Sequence, residues 1–378
     1  MTREEIWNKA YTRIFELYGE NPDLRIVNRF LSEKAALAHF GAAEYFEEIA
    51  KIFSEAMDEY NEKLICKNIV SSCFSAYLLG ASEINPLPAH YYCCCSSCKQ
   101  IKWLDEDVCI LDMQNTHLCN CGAEMRIDGF NIPFEIFIPY AEKLNEKTDI
   151  SSVKTYKDLF EALTKKHFQH SLLDVVQKCH LLGQSTGISA NEIDLSDNTV
   201  KAKLFVGNFE CVNPKLADFL QEAYTIAQPK NFEELQKLIG LAHGTQTWKS
   251  NAERLIKNKN CNLSDIPATR DEVFMQIRNA MQERGVYDTG FAYDVAEKAR
   301  KGYYAEHGMD GYTINTLKNL GFDDWFARYL LGTRYLSTRA LSVLELRYII
   351  LLSYFKTYYP NQEVIGDENI WEGGENNG

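Results

Sequence analysis

The sequence predicts an α+β protein that is predominantly helical, and three observations carry the prediction. Most of the chain repeats its apolar residues at helical spacing. A cysteine-rich segment interrupts that pattern, reading YYCCCSSCKQ at 91–100 and HLCNCG at 117–122. A β-like rhythm then follows in RIDGFNIPFEIFIPY at 126–140.

Taken in order, REEIWNKAYTRIFELYG at 3–19 sets Ile6, Ala10, Ile14 and Leu17 on one helical face, and Gly19 supplies the stop. After NPD comes a second run, LRIVNRFLSEKAALAHFG. A third, AAEYFEEIAKIFSEAMDEYNEKL, has Phe46, Ile49 and Phe53 along one side. LICKNIVSSCFSAYLLG at 64–80 mixes small and apolar residues, and the prolines of NPLPAH punctuate it. EKLNEKTDISS at 142–152 is polar enough for a linker or loop. Helices dominate beyond it: TYKDLFEALTKKHF, SLLDVVQKCHLLG, PKLADFLQEAYTIA, NFEELQKLIGLA, NAERLIKN, RDEVFMQIRNAMQERG, YDVAEKARKG and a last one near 338–358. The tail from 361 to 378 is acidic, Gly- and Asn-rich and without Lys or Arg, so disorder is expected there. The chain thus divides into 1–90 with 122–150, an insert at 91–121, connecting helices at 151–200, a helical domain at 201–360, and the tail.

Composition narrows the function class. The opening MTREEIWNKA has no basic-then-apolar leader and the run YIILLSYF is too short to span a bilayer, so a cytoplasmic protein with reduced thiols is expected. A net charge of −13 argues against indiscriminate nucleic-acid binding. The charge is uneven, however: residues 201–360 hold 21 Lys and Arg against 18 Asp and Glu, a mildly basic section able to meet phosphate locally.

Clustered thiols in a reducing setting favour a metal. Cys95 and Cys98 form a C-x-x-C knuckle, and Cys119 and Cys121 a tighter C-x-C pair ending in Gly122. Two thiols, about twenty residues, then two more is the spacing of a structural zinc ribbon. Cys93 and Cys94 compete with Cys95, and His117 or Cys109 with Cys119. A closed four-ligand site has no open position, so such a zinc is scaffolding. The alternative is a set of buried free thiols packing as small apolar groups. Cys66, Cys73, Cys179, Cys211 and Cys261 are scattered core or surface thiols.

The flanks of the insert carry a resemblance. ASEINPLPAHYYC and the later CG with DGFNIPFEIF resemble the palm of PolC-type bacterial replicative DNA polymerase III alpha subunits, whose zinc insert lies between the same flanks. QPKNFEELQKLIGLAHGTQTWKSNAERLI, CNLSDIPATRDEV and EKARKG are similar to that family's fingers, in the same order, and YFKTYYP matches the end of that region. The similarity runs with gaps from about Tyr18 to Pro360. The C-x-C pair departs from the family's second C-x-x-C. The resemblance implies a partial palm with a zinc-ribbon insert, followed by an all-α fingers-like domain.

It also implies what is missing. The family holds two catalytic metal ions on palm aspartates, with an Asp-x-Asp shortly after the segment matching DGFNIPFEIF. Here that place reads IPYAEKLNEKTDISS, with Asp149 alone, and the chain passes directly to TGISANEIDLSDNTVKAKLF. Asp105 with Asp107 lies in the zinc loop, and Asp194 sits in a different motif, so no catalytic residue is assigned. At the family's Gly- and Ser-rich phosphate loop stand Lys67, Asn68 and Ser71. Its Lys-Ala-His reads Arg339–Ala340–Leu341, and Glu345 replaces a tyrosine.

Nucleotide- or DNA-contacting residues implied by the resemblance are His243, Gly244, Thr245, Arg270, Lys301 and Arg339. Read without the family, Gly244 supplies a turn, Thr245 caps the next helix, Arg270 is a charged helix start, and Arg300 and Lys301 form a solvated helix end. The expectation is a degenerate, non-catalytic relative binding primer-template DNA, a nucleotide or a replication protein. The alternative is an active or split DNA polymerase whose carboxylates, with Mg²⁺, are supplied elsewhere.

Overall fold

The computed structural model describes residues 3–39, 72–105, 108–113, 117–136, 170–190, 192–209 and 214–362. The run at 42–64, TYKDLFEALTKKHF, the polar stretch at 142–152, Lys67, Asn68, Ser71, Asp107, Asp149 and the tail from 363 lie outside them. The fold is mixed α+β and mainly helical, as the sequence predicts. Among the described residues no helix is long and apolar enough to cross a membrane. The chain divides into two compact units, Met1–Lys201 with Arg347–Gly378, and Ala202–Leu346. The long last helix, Arg339–Tyr358, therefore gives its first turns to the second unit and the rest to the first.

In the first unit, α1 (Arg3–Tyr18) buries Ile6, Ala10, Ile14 and Tyr18, a series with a constant step of four. Leu17, expected on that face, is half-buried, and Tyr18 takes its place because its hydroxyl has a partner inside, the Asn85 side-chain amide at 3.0 Å. Helix α2 (Leu24–His39) buries Ile26, Phe30, Glu33 and Leu37. The carboxylate in that apolar stripe is fully enclosed and fully engaged. Glu33 receives Arg29 Nε at 2.6 Å, the backbone N–H groups of Phe74 and Ser75 at 2.9 and 2.7 Å, and the Cys73 thiol at 2.8 Å. Arg29 in turn donates to the carbonyls of Ile132 and Ser72. One ion pair thus fastens α2 to the short helix α3 (Phe74–Leu78) and to the chain beyond the insert.

The cysteine-rich segment and the residues after it form a four-stranded antiparallel sheet of order β2-β1-β4-β3, which runs past the expected insert of 91–121 to Asp128. Its strands are β1 (His90–Cys93), β2 (Ile101–Trp103), β3 (His117–Leu118) and β4 (Glu124–Asp128). Strand β1 pairs with both β2 and β4, with Cys93 opposite Met125. The β-like rhythm expected through 140 stops at Asp128. Gly129 follows at φ +98, where an added Cβ would lie 2.3 Å from the Pro88 carbonyl oxygen. Beyond it Phe130, Asn131 and Ile132 donate to the carbonyls of Asn85, Leu87 and Pro86, so the two flanks of the insert are bound together at its base. Asp128 accepts there from Asn85 and Tyr77.

The second unit has no strand among its described residues. Its helices include α6 (Pro214–Ala227), α7 (Phe232–His243), α9 (Arg270–Gln282), α10 (Gly290–Arg300), α12 (Gly311–Asn319) and α13 (Asp324–Gly332), with the short helices α8 (Glu253–Lys257) and α11 (Tyr303–His307) between them; α4 (His170–Thr186) and α5 (Asn198–Leu204) precede this series. They enclose Phe232, Leu238, Phe274, Ile277, Phe326 and Tyr329. Local polar residues set their starts. Asn231 accepts from Glu234 N, Asp310 from Thr313 N, and Thr269 with Glu272 forms a reciprocal capping box.

Removing Glu33 leaves Arg29 charged and enclosed. Glu33→Ala is expected to destabilise the first unit by about 3–5 kcal/mol, read as a lowered denaturant midpoint. A change under about 1 kcal/mol would show that the pair is not holding these segments.

Candidate functional site

Each hairpin of the sheet delivers two thiols to the same end. Cys93 closes β1 and Cys98 lies in the loop to β2, while Cys119 follows β3 and Cys121 lies in the turn to β4. Gly122, at φ +84, donates to the Cys119 carbonyl at 2.8 Å and closes that turn. The sulfurs of Cys93, Cys98, Cys119 and Cys121 all lie within 4.8 Å of one another. Cys93 to Cys121 and Cys98 to Cys119 are each 3.5 Å. Four sulfurs at zinc–sulfur bond length from one ion stand about 3.8 Å apart, so the group needs only small adjustment to hold a metal such as zinc.

The backbone supports the charged form of these thiols. Cys95 N–H donates to Cys93 Sγ at 3.4 Å, and the N–H groups of Gln100 and Cys121 do the same for Cys98 and Cys119, each with a two-residue offset. The N–H of Cys121, assisted by the neighbouring thiols, holds Cys119 down to about 7. Burial pushes the Cys93 thiol up to about 12, so at neutral pH its deprotonation calls for a cation.

The four gathered sulfurs differ from the expected set at one position, where Cys93 stands in place of Cys95. Alternation along β1 turns Tyr91 and Cys93 toward the face shared with Met125 and Cys119. Cys95 falls past the strand's end, its sulfur 3.3 Å from the Ser97 hydroxyl. Cys94 is exposed. His117 is stacked on Tyr91 at 4.9 Å, and Cys109 precedes a separate turn at Ile110–Asp112.

In the second unit four of the six residues expected to meet nucleotide or DNA, His243, Arg270, Lys301 and Arg339, are engaged with the chain's own carboxylates. Arg339 is buried. Its guanidinium donates to Glu233 (2.9 Å from each of two nitrogens), to Gln236 at 3.1 Å and to Glu272 at 3.0 Å, and its N–H donates to Asp271 at 3.0 Å. Lys237 stands 3.6 Å from the same Glu272. Arg270 starts its helix, as expected, and is buried there, where it bonds Glu297 at 2.9 Å. Arg300 grips the same carboxylate through two nitrogens, and Lys301, half exposed, stands 3.4 Å from it.

The His243 ring contacts the Glu345 carboxylate. Gly244 ends α7 at φ −81, and what it supplies is room, since a Cβ there would lie 2.3 Å from the Thr247 methyl. Thr245 is not a helix cap. Its N–H and C=O bond the backbone at Tyr335 and Arg334. Asp194 accepts from Ser196 N and Oγ, a local turn. Glu297 is the organising group that sequence reasoning missed, and a glutamate at buried helical spacing was its only signal; Glu345 was singled out only as replacing a tyrosine, not as a partner of His243.

Two measurements check these sites. Cys119→Ser is expected to lower zinc content from one ion per chain to near none, read by metal analysis of the purified protein; full retention would exclude Cys119 as a ligand. For Glu297, burial raises the carboxyl pKa, but hydrogen bonds from Arg300 and the charges of Arg270 and Arg300 outweigh it and hold it at about 2. A depressed carboxylate contributes stability that is present above its unfolded value and lost as pH falls through its folded one. The stability gap between wild type and Glu297→Gln is therefore expected to be on the order of 3 kcal/mol near neutral pH and to close between about pH 4.5 and pH 2. A gap independent of pH would contradict the assignment.

Residues 170–284 match the family model described as the bacterial DNA polymerase III alpha subunit finger domain. The chain is 22% identical to the PolC-type DNA polymerase III of Caldanaerobacter subterraneus subsp. tengcongensis over 476 residues, covering 94% of this chain and 33% of that protein. The corresponding proteins of Listeria welshimeri and Staphylococcus haemolyticus are each 22% identical over 479 residues, covering 94% of the chain and 32% of their own length. The chain thus spans about a third of the length of the curated relatives it matches. The alignments are longer than the chain's 378 residues, so these relatives hold residues inside the matched span that have no counterpart here. Through its finger segment, and at low identity over nearly all of its length, the chain is similar to PolC-type DNA polymerase III.

Proposed function

We propose that this chain is a reduced relative of the PolC-type polymerase that binds primer-template DNA through its helical second unit without extending it, in a cytoplasmic setting, with zinc as a structural ion in the four-cysteine ribbon. The observation that carries this reading is the internal use of Arg339. A cation at a position where the resemblance puts nucleotide contact is enclosed by Glu233, Glu272 and Asp271. Together with Lys237 this makes two cations against three carboxylates, so an incoming triphosphate would meet negative charge. His243 is likewise engaged by Glu345.

Lys301 differs from both. Its side chain is 51% exposed and its partner Glu297 already holds two arginines. That surplus of positive charge suits a phosphate backbone. The sequence supports the absence of chemistry. Two-metal phosphoryl transfer needs carboxylates to hold its ions, and where the resemblance implies an Asp-x-Asp the stretch following DGFNIPFEIF has Asp149 as its one aspartate.

The test is fluorescence anisotropy with a labelled primer-template, followed by addition of Mg²⁺ and all four deoxynucleotides to the same sample. Saturable, salt-sensitive binding with no extended primer is expected. Lys301→Ala should weaken binding evenly across sequences and lower the salt slope by about 1. Extension by the chain alone, or on mixing with a second replication protein, would replace this reading with that of an active or split polymerase. Failure to bind DNA would move the proposal to a protein partner.

A further inference from the structure

The four gathered sulfurs leave a fifth beside them. Cys95 packs, with Cys98, against the small cluster formed by Tyr91, Cys93, Cys119 and Met125. Its carbonyl accepts the N–H groups of Cys98 and Lys99, each at 3.3 Å, and Lys99 turns the chain at φ +48. Cys95 to Cys98 is therefore a closed C-x-x-C turn, a spacing by which two thiols reach one ion. Cys93 approaches the same end of the sheet differently, as the last residue of a paired strand. The two are joined directly, with Cys95 N–H on Cys93 Sγ at 3.4 Å. The Cys95 sulfur itself is held by the Ser97 hydroxyl at 3.3 Å, a weak contact that a metal bond would readily replace.

We infer that Cys93 and Cys95 are interchangeable ligands for one vertex of a zinc site completed by Cys98, Cys119 and Cys121. The inference rests on the zinc reading of the ribbon proposed above. The exchange involves no electron transfer. A bond forms between Cys95 sulfur and zinc, the Cys93–zinc bond breaks, and Cys93 takes up the proton that Cys95 gives up. Strand β1 keeps its pairing through Tyr92 in either state, because Tyr92 pairs with both Ile101 and Arg126. The site thereby survives alkylation or oxidation of either thiol alone. Cys94 lies between them on the exposed side and has no part in the exchange.

The experiment uses the full chain purified with zinc, as wild type, Cys93→Ser, Cys95→Ser, the double variant and Cys98→Ser. Zinc per chain is measured by elemental analysis, and the thiolate-to-metal charge-transfer bands are recorded after cobalt substitution. Both single variants at this vertex are expected to hold one metal ion with a four-sulfur spectrum and affinity within about a hundredfold of wild type. The double variant and Cys98→Ser should lose it. Loss of metal by Cys93→Ser to the level of Cys98→Ser would overturn the inference, as would retention by the double variant. Wild type that binds no zinc would remove the zinc reading itself, an outcome separate from these.

A second readout needs no variant. In zinc-loaded wild type, pulse alkylation with mass-spectrometric mapping should label Cys93 and Cys95 at similar rates. Those rates should be slower than that of Cys94 and faster than those of Cys98, Cys119 and Cys121. Full protection of Cys93, with Cys95 labelled as fast as Cys94, would contradict exchange.

Discussion

A carboxylate taken out of water has to meet a cation or a set of N–H donors, and both units are organised by that requirement. In the first, Glu33 draws α2, α3 and the segment beyond the insert onto one carboxylate. In the second, Glu272 completes the cap of its own helix while receiving Arg339 from the last helix and Lys237 from α7. Glu297 gathers Arg270, Arg300 and Lys301 in the same way. These groups are placed by helices whose apolar faces are already packed, so the polar contacts select one arrangement of a core that burial drives together.

The same requirement bears on function. A cation enclosed by carboxylates has little field left for a passing anion, whereas a cation that shares one carboxylate with two others keeps most of its charge. Arg339 is of the first kind and Lys301 of the second. The second unit can therefore keep the helical frame of a polymerase finger domain while changing what that frame offers to a ligand. Fold and site are separable.

Much of this was legible in the sequence. The periodicity of Ile6, Ala10 and Ile14, the stop at Gly19 and the two thiol clusters all report local structure, which local residues determine. What the sequence left open depends on contacts between distant positions. That Cys93 rather than Cys95 lies among the four gathered sulfurs depends on where β1 ends, and that is set by its pairing with β4. Whether Thr245 caps a helix or bridges to Tyr335 depends on a segment ninety positions away. The role of Arg339 depends on Glu233 and Glu272, from two other helices. An arginine at a family motif position gives the same signal in sequence whether it faces a phosphate or a buried glutamate.

The central claim is that the cations for which the resemblance implies nucleotide contact are satisfied from within the second unit. The most direct measurement is calorimetric titration of the full chain with a deoxynucleoside triphosphate and Mg²⁺, using a sample already shown to bind primer-template. The account predicts no saturable heat from the nucleotide. Saturable binding that disappears in Arg339→Ala while the protein stays folded would contradict it, and would return Arg339 to the role that the family resemblance implies.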